Sequence, residues 1–132
     1  MNSKRKSMRH GVVAVEFAMT APLLFLMLYA ALELGHANMA YNAVEAACYE
    51  GARAGIVPGA KANECRAAAE RILDLSNLRG GKVSVTPNHL NTNTDSVQVR
   101  ITLPYAKSAI IPPTFTRLLT IDRQCELVRE KP

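Results

Sequence analysis

The apolar residues of the chain follow two different patterns, and the first is a continuous block. From Val12 to Leu34 the sequence holds two carboxylates, Glu16 and Glu33, and no basic residue. About 23 residues at 1.5 Å each make a helix of roughly 34 Å, which is enough to cross a hydrocarbon core of about 30 Å. A soluble helix of this kind would have to be covered on all sides. A cleaved signal peptide would have a shorter apolar region, of about 7–15 residues. We therefore predict a transmembrane helix at residues 12–35.

Beyond this block the apolar pattern narrows to one side of a helix. No Gly or Pro cluster follows Leu34, so the helix should continue to about Ala54, with residues 36–55 outside the membrane. The residues predicted to face inward recur every three or four positions: Ala37, Tyr41, Val44, Cys48, Ala52 and Gly55. Asn42, Glu45, Tyr49 and Arg53 fall on the opposite side. This stripe indicates packing against a folded domain.

The remaining residues, 56–132, predict one small domain. "VPGA" at residues 57–60 should end the long helix, and a second helix should span residues 61–76 and stop at Gly80-Gly81. The pattern then alternates with a period of two, which predicts strands at "KVSVTP", "SVQVRITLPY" and "LLTIDRQCELV". We therefore expect an α+β fold, in which a long N-terminal transmembrane helix continues into a domain with a second helix and a three-stranded antiparallel sheet.

The net charge of +5 is concentrated at the N-terminus. Lys4, Arg5, Lys6 and Arg9 supply most of it, and the rest of the chain is nearly neutral. A nucleic-acid-binding protein should carry its basic residues on the folded part, so no nucleic-acid partner is expected. Basic residues before an apolar span instead hold that end of the helix in the cytoplasm. Residues 1–11 are thus predicted to be a cytoplasmic leader, and the C-terminal domain should lie outside the inner membrane.

Glu16 is the residue in the span that most requires an explanation. A charged side chain at the centre of a membrane helix costs about 2.5–3.5 kcal/mol, and less toward an end. Glu16 could reach the cytoplasmic headgroups, or it could pair with a positive group. A cut after Gly11 would make Val12 an α-amino terminus one helical turn from Glu16, on its own or a neighbouring chain. Glu33, near the other end of the span, is expected to reach the outer headgroups.

The same residues resemble a known family. A basic leader followed by "GVVAVEF" resembles the processing site of type IV-like prepilins, which a membrane aspartic peptidase cuts after the glycine. The longer stretch "GVVAVEFAMTAPLLFLMLYAALELGH" resembles the N-terminal signature of TadE-like proteins, the minor pseudopilins of the Tad (tight adherence) pilus assembly system. "EGARAGIVPGA", "ITLPYAKSAIIPP" and the late "VRE" also fit this family. His36, where arginine is common, and the three cysteines are departures from it.

The resemblance implies a structural or assembly subunit of a Tad-type (type IVb-like) pilus or secretion apparatus, with a pseudopilin-like domain in the periplasm. Processing would fall between Gly11 and Val12, and Glu16 with Phe17 would set the register of helices during assembly. The implied partners are inner-membrane lipid, other pilins and pseudopilins, Tad assembly-platform proteins and the prepilin peptidase. The alternative is a signal-anchored periplasmic binding or sensing module with an uncleaved membrane tether.

The cysteines suggest a possible disulfide, and the sequence contains no motif that predicts catalysis. Cys48, Cys65 and Cys125 each fall on a predicted inward face, and in an oxidising periplasm two could form a disulfide worth about 2–4 kcal/mol. The sequence does not fix the pair; we favour Cys48 with Cys125, Cys65 is the other candidate, and all three could be buried thiols. There is no motif for catalysis, phosphate binding or a metal. We therefore expect no enzyme activity and no cofactor.

The remaining residues that could bind ligands are isolated. His10, His36 and His89 lie far apart in the sequence and are expected to be solvated. Asn88, Asn91 and Asn93 lack the regular acidic spacing of a calcium-binding loop.

Overall fold

The computed structural model describes residues 3–90 and 94–129, with side chains from Gly11 onward. The side chains of the basic leader (Lys4, Arg5, Lys6, Arg9 and His10) and residues Asn91 and Asn93 therefore lie outside the described part.

The first helix, α1, spans Ser3–Ile56 and contains both the apolar block and the amphipathic stripe. Its 54 residues make a helix of roughly 80 Å. The predicted continuation beyond Leu34 is confirmed. The helix begins at Ser3, earlier than Val12, and no proline interrupts the leader.

The second helix, α2, spans Ala62–Leu75, close to the predicted range. Before its first turn, the backbone N–H of Lys61 donates to the Glu64 carboxylate at 3.2 Å. The prediction that Gly80-Gly81 ends this helix was wrong. The chain turns at Asn77, which has a left-handed φ of 54°, and the N–H of Leu78 then donates to the Leu73 carbonyl at 2.9 Å. Asparagine tolerates this backbone conformation and closes the helix before the glycines are reached.

The three predicted strands form one antiparallel sheet in the order β1-β2-β3. They are β1 (Lys82–Thr86), β2 (Ser96–Pro104) and β3 (Thr120–Val128), and a short 3-10 helix, Tyr105–Lys107, follows β2. The four apolar residues of β2 that were predicted to share a face have no exposed surface: Val97, Val99, Ile101 and Leu103. The α+β prediction is confirmed.

The second half of α1 and the helix α2 pack on the apolar face of the sheet. The predicted stripe of α1 lines this core, since Val44, Cys48 and Ala52 have no exposed surface. The opposite side of α1 is exposed, as predicted. On the outer face of the sheet, the Arg100 guanidinium donates two hydrogen bonds to the Asp122 carboxylate.

Two glycines of α1 allow α2 and β2 to approach closely. A Cβ on Gly55 would lie 2.8 Å from both the sulfur of Cys65 and a methyl carbon of Val97. A Cβ on Gly51 would lie 3.0 Å from the Cβ of Ala69. Real Cβ atoms essentially never approach other atoms to 2.8 Å, so a side chain at position 55 would force Cys65 and Val97 to shift. The 3.0 Å contact at position 51 is tighter than most real Cβ contacts, so glycine is favoured there as well.

The domain contacts α1 at two levels: its near end lies beside the apolar block, and its far end lies beside the C-terminal end of the helix. The segment from residue 105 to residue 119, here called the β2–β3 connection, contacts α1 at Glu33. At the other end, the Arg129 guanidinium donates to the carbonyl of Val57 at 3.1 Å. The β1–β2 hairpin lies at that far end, because β2 begins beside Val128, next to Arg129.

Candidate functional site

The first part of α1 is an apolar helix that the described residues of the chain leave uncovered. Every residue from Gly11 to Leu28 is exposed except Ala21, which is half-buried. Large side chains such as Phe17 (69% exposed) and Leu24 (66%) are mostly uncovered. An apolar surface of this size marks a region that meets lipid or other protein.

The residues of the predicted processing site lie on this uncovered helix. A Cβ added to Gly11 would meet nothing within 4 Å among the described atoms, so their packing does not require glycine there. The Glu16 side chain is exposed one turn after Val12, and its carboxylate has no partner among the side chains that the structure describes. Phe17 is exposed beside it. The structure therefore places all four predicted residues together on one accessible segment.

A second group of residues, which the sequence did not predict, joins α1 to the β2–β3 connection. Glu33 is only 1% exposed. Its Oε1 accepts hydrogen bonds from the backbone N–H groups of Thr114 (2.9 Å), Phe115 (2.9 Å) and Thr116 (2.7 Å). The Thr116 hydroxyl donates to the same oxygen at 2.6 Å. Successive N–H groups of this kind form an anion-binding nest, and here the anion is the carboxylate of the helix itself.

The same connection is fixed one turn earlier on α1. The Tyr29 hydroxyl donates a hydrogen bond to the carbonyl of Pro112. The Thr114 hydroxyl donates to the Tyr29 oxygen at 3.5 Å, a long contact. Tyr29 and Glu33 are four residues apart and share one face of the helix. The β2–β3 connection is thus held at two successive turns, here called the Tyr29–Glu33 clamp.

This clamp corrects the expectation that Glu33 reaches the outer headgroups. Oε1 is saturated by four donors, and Oε2 is buried without a hydrogen bond from the described residues. The helical spacing carried a signal that could have revealed the error. Glu33 lies four positions before Ala37, the first residue of the inward stripe, and therefore continues that stripe rather than the outward face.

The cysteines occupy two separate places in the core. Cys48 is fully buried, and its thiol donates to the Val99 carbonyl at 3.0 Å. Burial and the adjacent thiol of Cys125 raise the pKa of Cys48 well above its usual range. Cys65 packs elsewhere, beside Gly55, and burial raises its pKa as well. All three are free thiols in this structure, so the Cys48–Cys125 disulfide stays a prediction, now with its partners adjacent.

The described residues offer few groups for a ligand or a metal. Within this part of the chain, no group of three or more His, Cys, Asp or Glu side chains could hold a metal ion. A cavity of about 250 Å³ lies between α1, the end of α2 and the 3-10 helix. Its lining includes His36, Tyr105 and Ser108 among mostly apolar residues. Burial and the nearby Glu33 carboxylate raise the pKa of Tyr105.

Together these features define a class of protein: a long apolar N-terminal helix that continues into a small α+β domain. One helix among the described residues, within Gly11–Ile56, is long and apolar enough to cross a membrane.

A family model for TadE-like proteins matches residues 11–53, about a third of the chain. The match confirms the resemblance to that family over this segment. No curated protein and no solved structure matches the chain.

Proposed function

We propose that the chain is a membrane pseudopilin of the TadE type, a structural or assembly subunit of a Tad-type pilus or secretion apparatus. In this proposal α1 is anchored in the bacterial inner membrane with its N-terminus in the cytoplasm and its α+β domain in the periplasm. A prepilin peptidase removes residues 1–11, and Val12 becomes the N-terminus. The role is structural, and no catalytic step by the chain itself is involved.

The observation that carries the proposal is the uncovered helix at the start of the family match. Residues 11–28 expose their apolar side chains to an environment that a soluble monomer does not provide, and the family model begins at Gly11. Gly11 itself has no packing role among the described residues, because a Cβ there has open space around it. Recognition by a peptidase that accepts only a small residue before the cut gives this glycine a function.

Glu16 is then positioned for a contact between subunits. After cleavage, the α-amino group of Val12 would be the nearest cationic group on the helix, one turn from Glu16. If the ammonium of one subunit pairs with the Glu16 carboxylate of the next, the pair would fix the register between the two apolar helices. Removing one member of a fully buried pair costs about 3–5 kcal/mol, and less if water or headgroups reach it.

The test compares three variants at matched expression: Glu16→Leu, Glu16→Gln and Glu45→Gln. Glu45 is an exposed carboxylate on the same helix outside the span, so Glu45→Gln is the matched control. Glu33 is unsuitable for this purpose because it is buried. The measurement is the surface yield of pili together with co-purification of other pilins.

We expect Glu16→Leu to insert into the membrane and to leave the periplasmic domain folded, while assembly fails. Glu16→Gln should be intermediate, because an amide oxygen still accepts a hydrogen bond but carries no charge. Glu45→Gln should assemble as the parent does. Normal assembly of Glu16→Leu would contradict the proposal and favour a periplasmic module with a simple tether.

A further inference from the structure

The β2–β3 connection carries large apolar side chains that the domain does not bury. Leu118 is 95% exposed, Ile110 76% and Phe115 55%. These residues lie within nine positions of one another, on a segment with two consecutive prolines, Pro112 and Pro113. A short irregular segment with this much uncovered apolar surface marks an interaction site.

The Tyr29–Glu33 clamp fixes where this apolar segment lies along α1. Tyr29 is 17 residues beyond Val12, which corresponds to roughly 26 Å along the helix. A bilayer core is about 30 Å thick, so a helix that enters the membrane near Val12 leaves it near the clamp. The β2–β3 connection is therefore held against α1 at the level where the hydrocarbon meets the outer headgroups.

The charges at this end of the domain suit the same position. Arg117 is exposed between the two apolar residues Phe115 and Leu118. Lys107 and Arg79 are also exposed, and the Arg79 backbone is joined to Ser108 by two hydrogen bonds at 2.9 and 2.8 Å. Arginine and lysine can bury their aliphatic stems while the charged groups remain at the level of lipid phosphates.

We propose that the β2–β3 connection inserts Phe115 and Leu118 into the outer leaflet of the membrane that α1 crosses. The subunit would then contact the bilayer twice, through its span and through this connection, with Arg117 at the headgroups. The partner is bilayer lipid, because the clamp holds the apolar segment beside the apolar block of α1 that crosses the membrane. The inference rests on the membrane placement in the proposed function.

The test uses tryptophan fluorescence, because the chain contains no tryptophan of its own. Three single-tryptophan variants of the full chain are reconstituted at low protein-to-lipid ratio in phosphatidylethanolamine–phosphatidylglycerol vesicles with brominated acyl chains. Leu118→Trp reports on the connection. Val15→Trp reports on the predicted span, and His89→Trp reports on the hairpin at the far end. All three side chains are exposed, so the core is undisturbed.

We expect bromine to quench Leu118→Trp about as strongly as Val15→Trp, while His89→Trp is unaffected. If Val15→Trp is quenched and Leu118→Trp behaves like His89→Trp, the lipid contact is wrong but the membrane anchor stands. If Leu118→Trp is shielded from both brominated lipid and aqueous iodide, a second copy of the chain covers the connection instead. If Val15→Trp is also unquenched, the membrane placement fails together with the inference.

Discussion

Replacing Glu33 with glutamine should release the β2–β3 connection from α1 without unfolding the domain. Glutamine has nearly the same shape, and its amide oxygen can still accept a hydrogen bond. It lacks the negative charge that three backbone N–H groups and the Thr116 hydroxyl now share at 2.6–2.9 Å. Its amide nitrogen would also occupy the buried position of Oε2, which has no hydrogen-bond partner among the described residues.

The size of the effect follows from the loss of charge. A hydrogen bond to a charged group contributes about 1.5–3 kcal/mol, but four donors on one oxygen are not additive. We therefore expect docking of the connection to weaken by about 1.5–3 kcal/mol in total. This corresponds to a roughly 10- to 150-fold increase in the undocked population. The core beneath the sheet does not depend on this contact and should remain folded.

Two local measurements detect this change. Hydrogen exchange at the amides of residues 114–116 should accelerate by that factor, because these are the N–H groups that Glu33 protects. Trypsin should cut faster after Arg117, which is exposed on the same segment. Glu45→Gln is the matched control and should change neither rate. Unchanged exchange at residues 114–116 in Glu33→Gln would refute the role of the carboxylate.

Two further predictions concern the core. Gly55→Ala should destabilise the domain by about 1–3 kcal/mol in denaturant unfolding, because the new methyl would overlap Cys65 and Val97. Gly35→Ala is the control, because a Cβ at position 35 has open space around it. Equal stability of the two variants would contradict the packing argument. The second prediction is that the reduced protein loses stability as the pH rises above 9.0, the ordinary thiol pKa. Above this pH the Cys48 thiol ionises in the unfolded chain but stays protonated in the folded chain, so unfolding is favoured. Unfolding midpoints that do not change from neutral to alkaline pH would contradict this prediction.

Periodicity was sufficient to predict most of the fold. In β2 the alternation is strict because the strand is central and only one of its faces is buried, so every second residue had to be apolar. In α1 the change from apolar on all sides to a single stripe coincides with the change from an uncovered to a packed helix. In both elements the spacing of the apolar residues follows the positions that the fold buries, which is why it could be predicted.

Features that depend on the backbone were not predictable in the same way. The Tyr29–Glu33 clamp joins residues about 80 positions apart, and its main donors are backbone N–H groups, which any sequence supplies. The end of α2 at Asn77 depends on a single left-handed residue rather than on the conspicuous Gly80-Gly81 pair. For the processing segment the sequence remains more informative, because a cleavage site is defined by an enzyme and not by the fold of its substrate.

The proposed cleavage after Gly11 is tested most directly by the N-terminal sequence and intact mass of the protein from its native membrane. We expect a mature chain that begins at Val12, with Glu16 as its fifth residue. A protein that still begins at Met1, in cells with an active prepilin peptidase, would contradict the claim. So would a terminus near residues 37–41, which would mean that the apolar helix, Glu33 included, is removed as a signal peptide.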